Sequence, residues 1–293
     1  MVEKNSLPKI LILGGKGLLG SEMARVLTAN GYAVKTASHA ELDITKGMEV
    51  AVWIERLQPE IVINCAALSD VDFCEKNPDL AFKVNAEGVK NICLPLQEIG
   101  GRLIHISSDY VFDGKKKSPY VETDLVSPVN IYGKSKLKGE EYVQKILPQS
   151  FIVRVQWLYG AHGKNFASQL VRTITTGEVM GPYSLILDRV GTPTPVGVIA
   201  NVVPRMMTLR EGGLFHLSAR GGCSWVEFGK AVFEINSRKD FDRWVRAVTE
   251  IQNLRLAQRP PYSVLSSDFF ERTFQYEFSH WTEALSNVIH YFK

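Results

Sequence analysis

The sequence predicts an α/β fold, a doubly wound parallel sheet with a smaller C-terminal lobe partly interleaved with it. Three observations lead there. An apolar run, KILIL at residues 9–13, feeds a glycine-rich turn, GGKGLLG, and then a helical stretch, the strand, turn and helix that open a dinucleotide-binding unit. Short apolar runs then alternate with helix-period segments through residues 1–155, as parallel β-α units require. Finally, 293 residues exceed what one core usually fills, which favours a major domain with a smaller partner.

In the opening unit, Gly14, Gly17 and Gly20 let the backbone approach a pyrophosphate. Leu18 and Leu19 begin a helix expected over 18–29, whose free amides and positive end hold the anion. The sheet is therefore expected to be Rossmann-type. A second strand, expected over 32–36, is followed by Ala37, Ser38 and His39, with no Asp or Glu to claim a ribose hydroxyl. With Lys16 in the glycine turn able to reach it, a 2′-phosphate is tolerated, so NADPH is the expected cofactor and NADH the alternative. Asp43 and Ile44 are expected beside the adenine, the competing reading being an Asp that caps the helix at 48–57. A strand at 61–64 runs into CAALSDVD, where the small residues Cys65, Ala66 and Ala67 suit a backbone passing close to a ligand. In the helical stretch 79–100, Asn85 either turns its amide inward beneath the site or faces solvent.

Chemistry is expected where the apolar run RLIHI ends in Ser107 and Ser108, because open α/β sheets bind ligands at their carboxyl edge. Ser108, Asp109 and Tyr110 are candidates for contact with a substrate. After a lysine-rich loop, 130–142 reads as a helix, and the four-residue step from Tyr132 to Lys136 stacks both side chains on one face. A nearby ammonium favours the phenolate, so Tyr132 is expected to exchange a proton near neutral pH. FIVRV then reads as a strand, 165–176 as a helix and 188–194 as a loop fixed by its glycine and prolines. Residues 196–207 are apolar enough for a helix packed back on the main sheet, and GLFHLS reads as a short strand. SWVEFGKAVFEI opens with a capping box, so Ser224 and Trp225 are expected as cap and core. The expected division is 1–155 with a return over about 196–218, against a second lobe of 156–195 and 219–293.

A hydrophobic share of 45%, a charged share of 22% and a net charge of +3 describe an ordinary globule with no footprint for nucleic acid. Cys65, Cys74, Cys93 and Cys223 form no CxxC and are expected as free buried thiols, which implies a reducing cytoplasm. The charged opening residues and the brief apolar run before Gly14 are too short for a signal or a spanning segment. The six histidines show no HExxH, and no GxSxG elbow is present, so neither a zinc hydrolase nor a serine hydrolase is supported and no metal site is expected.

The order GGKGLLG, NCAALSDVD, ISSDYVFDG, YGKSKLKGE, RVQWLYG, DRVGTPT and RPPYSVL resembles, over nearly the whole chain, the dTDP-4-dehydrorhamnose reductase branch of the extended short-chain dehydrogenases. The resemblance implies NADPH-dependent reduction of dTDP-4-dehydro-L-rhamnose to dTDP-L-rhamnose, a sugar donor for cell-surface polysaccharide. In this reading Ser108, replacing a threonine common in the branch, bonds the substrate carbonyl. Tyr132 protonates the developing alkoxide, and Lys136 holds the nicotinamide ribose. Trp157 falls beside the sugar nucleotide, a buried core tryptophan being the alternative, and Asn165 falls in a substrate-lobe segment. Arg259 is a candidate for the substrate diphosphate, since a guanidinium matches phosphate oxygens in a fork; a surface ion pair is the alternative. Arg189 stands where glutamine is common. The non-catalytic beta subunit of methionine adenosyltransferase resembles the same branch, so a cofactor-binding regulatory subunit and a related reductase of another nucleotide 4-keto-6-deoxy sugar remain alternatives. Some members form homodimers through a magnesium site of glutamates, whose ligands are not mapped onto this sequence.

Overall fold

The computed structural model describes residues 7–161, 165–176, 182–249 and 255–292. The opening residues 1–6, part of the expectation that nothing directs the chain to a membrane, lie outside it. So do short pieces of the expected second lobe, 162–164, 177–181, 250–254 and 293.

Strands β1 (Lys9–Leu13), β2 (Ala33–Ala37), β3 (Ile61–Asn64), β4 (Arg102–Ser108), β5 (Phe151–Val155) and β6 (Gly213–His216) form one sheet. Every pairing is parallel and the order is β6-β5-β4-β3-β1-β2. Period-two alternation sends successive residues of each strand to opposite faces. Ile10, Ile12, Ile61, Ile63, Ile104 and Val153 enter one core with the helices Leu18–Ala29 and Val196–Met207. Leu11, Leu13, Val62, Leu103 and Ile152 enter the other, covered by Gly47–Leu57, Gly88–Glu98 and Ile131–Ile146. Burial on both faces is why these strands are continuous apolar runs. The chain leaves β1 for β2 on one side and pairs β1 with β3 on the other, so the sheet's crevice opens at the carboxyl ends of β1 and β3.

The second half crosses back before it finishes. The Val196–Met207 helix buries Ile199, Val202, Val203 and Met206 in the same core as the Leu18–Ala29 helix, and β6 pairs with β5 at the sheet edge. A separate apolar core gathers Tyr159, Leu170, Phe228, Phe233, Trp281 and Leu285. Within it the Trp225–Ile235 helix starts at a complete capping box of Ser224 and Glu227.

Three local departures from the sequence reading have visible causes. The helix expected to end at 142 continues to Ile146, because Val143 and Leu147 are buried against the sheet. The stretch 79–100 is broken into Pro78–Phe82, a π-helical turn Lys83–Glu87 and Gly88–Glu98. The wide turn swings Asn85 fully inside, which settles its orientation as inward. The loop 188–194 contains two short strands, Val190–Gly191 and Thr194–Pro195. All four cysteines are free thiols, but Cys65 is only half-buried, unlike the other three, because it lies in the crevice beside the glycine turn. Among the described residues no helix is long and apolar enough to cross a membrane.

Candidate active site

The glycine turn is shaped by close approach. Gly14 has φ +74°, and a Cβ there would lie 2.8 Å from the Ala66 nitrogen; a Cβ on Gly20 would run into the Gly14 carbonyl oxygen. Gly17 caps the following helix without a side chain, and its first turn holds no acidic residue. The amides of Leu18 and Leu19 therefore head a helix whose positive end is left for an external anion. This cradle fits a dinucleotide diphosphate, with Lys16 exposed on its lip. Across from it, two buried amides hold the strip from Cys65 to Leu68. Asn64 Oδ1 accepts from the Ala66 amide at 3.1 Å, and Asn85 accepts from the Leu68 amide at 2.8 Å while donating to the Leu68 carbonyl at 3.0 Å. Ala67 lies within that strip.

At the end of β2 the expectation of a site without a carboxylate is corrected. Glu41 folds back, and its Oε2 accepts from both the Ser38 amide and hydroxyl, at 2.8 and 2.6 Å. Asp43 accepts from the Thr45 amide at 3.0 Å and lies 3.9 Å from His39, closing its own turn. It does not cap the next helix, whose cap is Lys46. Ile44 is buried in the core against Gly88.

Ser108 is the last residue of β4 and is 5% exposed. The helix opposite begins at Asn130, whose Oδ1 accepts from the Gly133 amide at 2.8 Å and whose Nδ2 donates to the Gln258 carbonyl at 2.7 Å. A Cβ on Gly133 would collide with the Tyr110 carbonyl oxygen, so the helix start presses directly on the turn after β4. That contact sets Tyr132 edge-on to Tyr110, with ring centroids 5.6 Å apart, and within the influence of Ser108, whose Oγ donates to Asp109 Oδ1 at 3.0 Å and accepts from the Tyr110 amide at 3.2 Å. One turn on, the buried Lys136 donates from Nζ to the Ile106 carbonyl at 2.7 Å. The three expected catalytic groups thus converge at one strand end.

Their electrostatics differ from expectation in one respect. Burial pushes the Tyr132 phenol up, against the downward pull of the Ser108 hydroxyl. The Lys136 ammonium is turned to the Ile106 carbonyl. Tyr132 is accordingly a firm phenol at neutral pH, the form that donates a proton. Burial brings Lys136 down to about 8, against the opposing pull of Glu140 and Cys65. Burial also raises Asp109 to about 6, against the pull of the Ser263 and Ser108 hydroxyls, of which Ser108 donates to Oδ1 at 3.0 Å.

Beneath these groups lies a buried ion pair. Arg154 Nε and Nη2 meet Glu140 Oε1 and Oε2 at 2.9 and 2.7 Å, and the Ser107 hydroxyl donates to Oε1 at 2.5 Å. On the open side, Trp157 has φ +41°, a strained conformation for a bulky residue. Its ring stacks on Trp225 at 4.0 Å and 6°. Trp225 is therefore half-buried against another ring, not a plain core residue. Asn165 Oδ1 caps the next helix through the Ser168 amide at 2.8 Å, leaving its buried Nδ2 without a hydrogen-bond partner. Arg259 forks onto Asp72 at 3.0 and 2.8 Å and is 7% exposed. The buried guanidinium is thus held in a pair whose Asp72 end is half-exposed, and its charge, with those of Arg189 and Arg255, acts on Tyr110. Among the described residues no group of three His, Cys, Asp or Glu could hold a metal ion.

Residues 8–293 match the family model of the RmlD substrate binding domain. The chain belongs to this family. It is 35% identical to the spore coat polysaccharide biosynthesis protein SpsK of Bacillus subtilis, over 96% of each chain. Among solved structures it resembles the dTDP-4-dehydrorhamnose reductase of Clostridium acetobutylicum, with 38% identity, a TM-score of 0.89 and 96% and 98% of the two chains covered. The dTDP-4-dehydrorhamnose reductase of Bacillus anthracis, solved in complex with NADP, matches with 32% identity, a TM-score of 0.91 and 97% and 99% coverage. This RmlD-family chain is an NAD(P)H-dependent oxidoreductase on a Rossmann-type sheet.

Three residues of this RmlD-family site escaped the sequence reading. Glu41 carried a signal, since S-x-x-E at 38–41 is the spacing of a capping box. Glu140 stands four residues after Lys136, on the same helix face. Asp72, the partner of Arg259, carried none, because 187 residues separate them.

Proposed function

We propose that the protein reduces dTDP-4-dehydro-L-rhamnose to dTDP-L-rhamnose with NADPH, in the cytoplasm, as a donor for cell-surface polysaccharide. The observation that carries this reading is the convergence of Ser108 and the buried Tyr132 at the end of β4, with Lys136 one turn away. The names of the solved reductases supply the sugar and NADP supplies the cofactor. In this reading Gly14, Gly17, Gly20, Leu18 and Leu19 hold the diphosphate of the cofactor, Cys65, Ala66 and Ala67 border it, and Lys136 holds its ribose hydroxyls. When bound, the dihydronicotinamide supplies a hydride to the keto carbon. Ser108 donates its hydroxyl to the ketone oxygen, and Tyr132, kept protonated by burial, delivers its proton to that oxygen. Trp157 and Asn165 line the sugar-nucleotide side, and Arg259 with its neighbours Arg189 and Arg255 gives that side the positive charge that a diphosphate needs. The second apolar core forms the lobe that carries the sugar nucleotide.

Purified protein is expected to oxidise NADPH when dTDP-4-dehydro-L-rhamnose is added and not before. Absence of oxidation with this sugar, alongside turnover of a different keto sugar, would reassign the substrate; absence with every 4-keto sugar would end the proposal. The pH dependence follows from Lys136, which is charged below about 8 and neutral above it. Turnover is therefore expected to fall on the alkaline side of that value, approaching about tenfold per pH unit. A rate unchanged up to pH ~10 would remove the ammonium from the mechanism.

A further inference from the structure

β2 ends against the glycine turn. The Gly15 amide donates to the Ala37 carbonyl at 3.0 Å, and a Cβ on Gly15 would sit 2.6 Å from the Thr36 Cβ. Ser38 follows directly beside the cradle. In dinucleotide-binding sheets this point faces the adenosine ribose, and its side chains decide between a 2′-hydroxyl and a 2′-phosphate. The donors there are the amide and hydroxyl of Ser38, and one oxygen of Glu41 takes both, at 2.8 and 2.6 Å. Those two bonds, then the charges of Lys16 and Lys35, hold the Glu41 carboxyl below its usual range. Two donors with two cations close enough to act, the components of a phosphate site, thus surround a position where an anion of the protein already takes both donors. Asp43 is not a rival, since it accepts from the Thr45 amide. Glu41 itself is exposed, so it can swing aside.

We propose that Glu41 sets the choice between NADPH and NADH by occupying the donors that a 2′-phosphate uses. This rests on the reading of the glycine turn as the cofactor cradle. A 2′-phosphate, carrying about −1.5 to −2 charges, must displace the carboxylate and then tolerate it nearby. A 2′-hydroxyl instead donates to the carboxylate where it stands. The native protein therefore binds both dinucleotides, with the phosphate's advantage held down by one side chain.

The test is calorimetric titration of NADP⁺ and NAD⁺ into the native chain, Glu41→Gln and Glu41→Ala. Glutamine keeps an oxygen for Ser38 and removes only the charge. Both variants are expected to shift the affinity ratio toward NADP⁺ by about tenfold, roughly the effect of one charge-assisted hydrogen bond. NAD⁺ binding is expected to weaken in the alanine variant. A purely structural Glu41 would weaken both ligands alike, and a ratio within about twofold of the native value overturns the proposal. Failure of the native chain to bind either dinucleotide overturns the cradle reading and this proposal with it, a result distinct from an unchanged ratio.

Discussion

Tyr132→Phe is expected to lower kcat by about 10²- to 10⁴-fold, the usual worth of a positioned proton donor. The substitution keeps the ring that lies edge-on to Tyr110 at 5.6 Å and deletes only the hydroxyl on which Ser108 acts. Folding and cofactor affinity should therefore change little. The loss falls on a group that acts as the alkoxide develops, so kcat and kcat/KM should drop together. Burial is what makes the assignment directional: it holds the proton on the phenol at neutral pH, which suits reduction of a ketone. Steady-state kinetics with the keto sugar, paired with NADP⁺ titration, decide the matter. A variant that keeps more than about a tenth of native turnover would falsify the role given to Tyr132.

Arg154→Ala is expected to cost about 3–5 kcal/mol of stability, because it leaves a buried carboxylate without its counter-charge. Glu140 is 1% exposed and Arg154 3%, and the pair is bidentate, so solvent cannot replace the missing partner. Some of the loss is packing, since the guanidinium also lies 5.1 Å from the Phe112 ring centroid. Urea denaturation of Arg154→Ala, Glu140→Leu and the double substitution separates these parts. The double variant should be more stable than Arg154→Ala alone, since it removes both charges. A loss below about 1 kcal/mol for Arg154→Ala would show that the carboxylate protonates or finds water.

The legible parts of this molecule are those in which neighbours in sequence are neighbours in space. KILIL, GGKGLLG and the helix after them are one local unit, and Leu18–Ala29 lies where its spacing predicts. Tyr132 and Lys136 lie on one helix, so their shared face could be read from spacing. What they do to each other could not. The ammonium's partner is the Ile106 carbonyl on a strand, and the phenol's surroundings include Tyr110 and Cys74 from other elements. Arg259 was recognisable as a fork without its target, because Asp72 arrives from the far end of the sequence. Trp225 was read as core since nothing local announces that Trp157 stacks on it.

The return of β6 to the edge of β5 decides how the polypeptide can be cut. A fragment stopped after the fifth strand would leave that strand's rim unpaired and strip the Leu18–Ala29 helix of its neighbour Val196–Met207. Such a half is a sticky remnant, not a miniature nucleotide binder. The main sheet is thus finished only by residues that follow its fifth strand in sequence, and only the uncut chain gives it a closed surface.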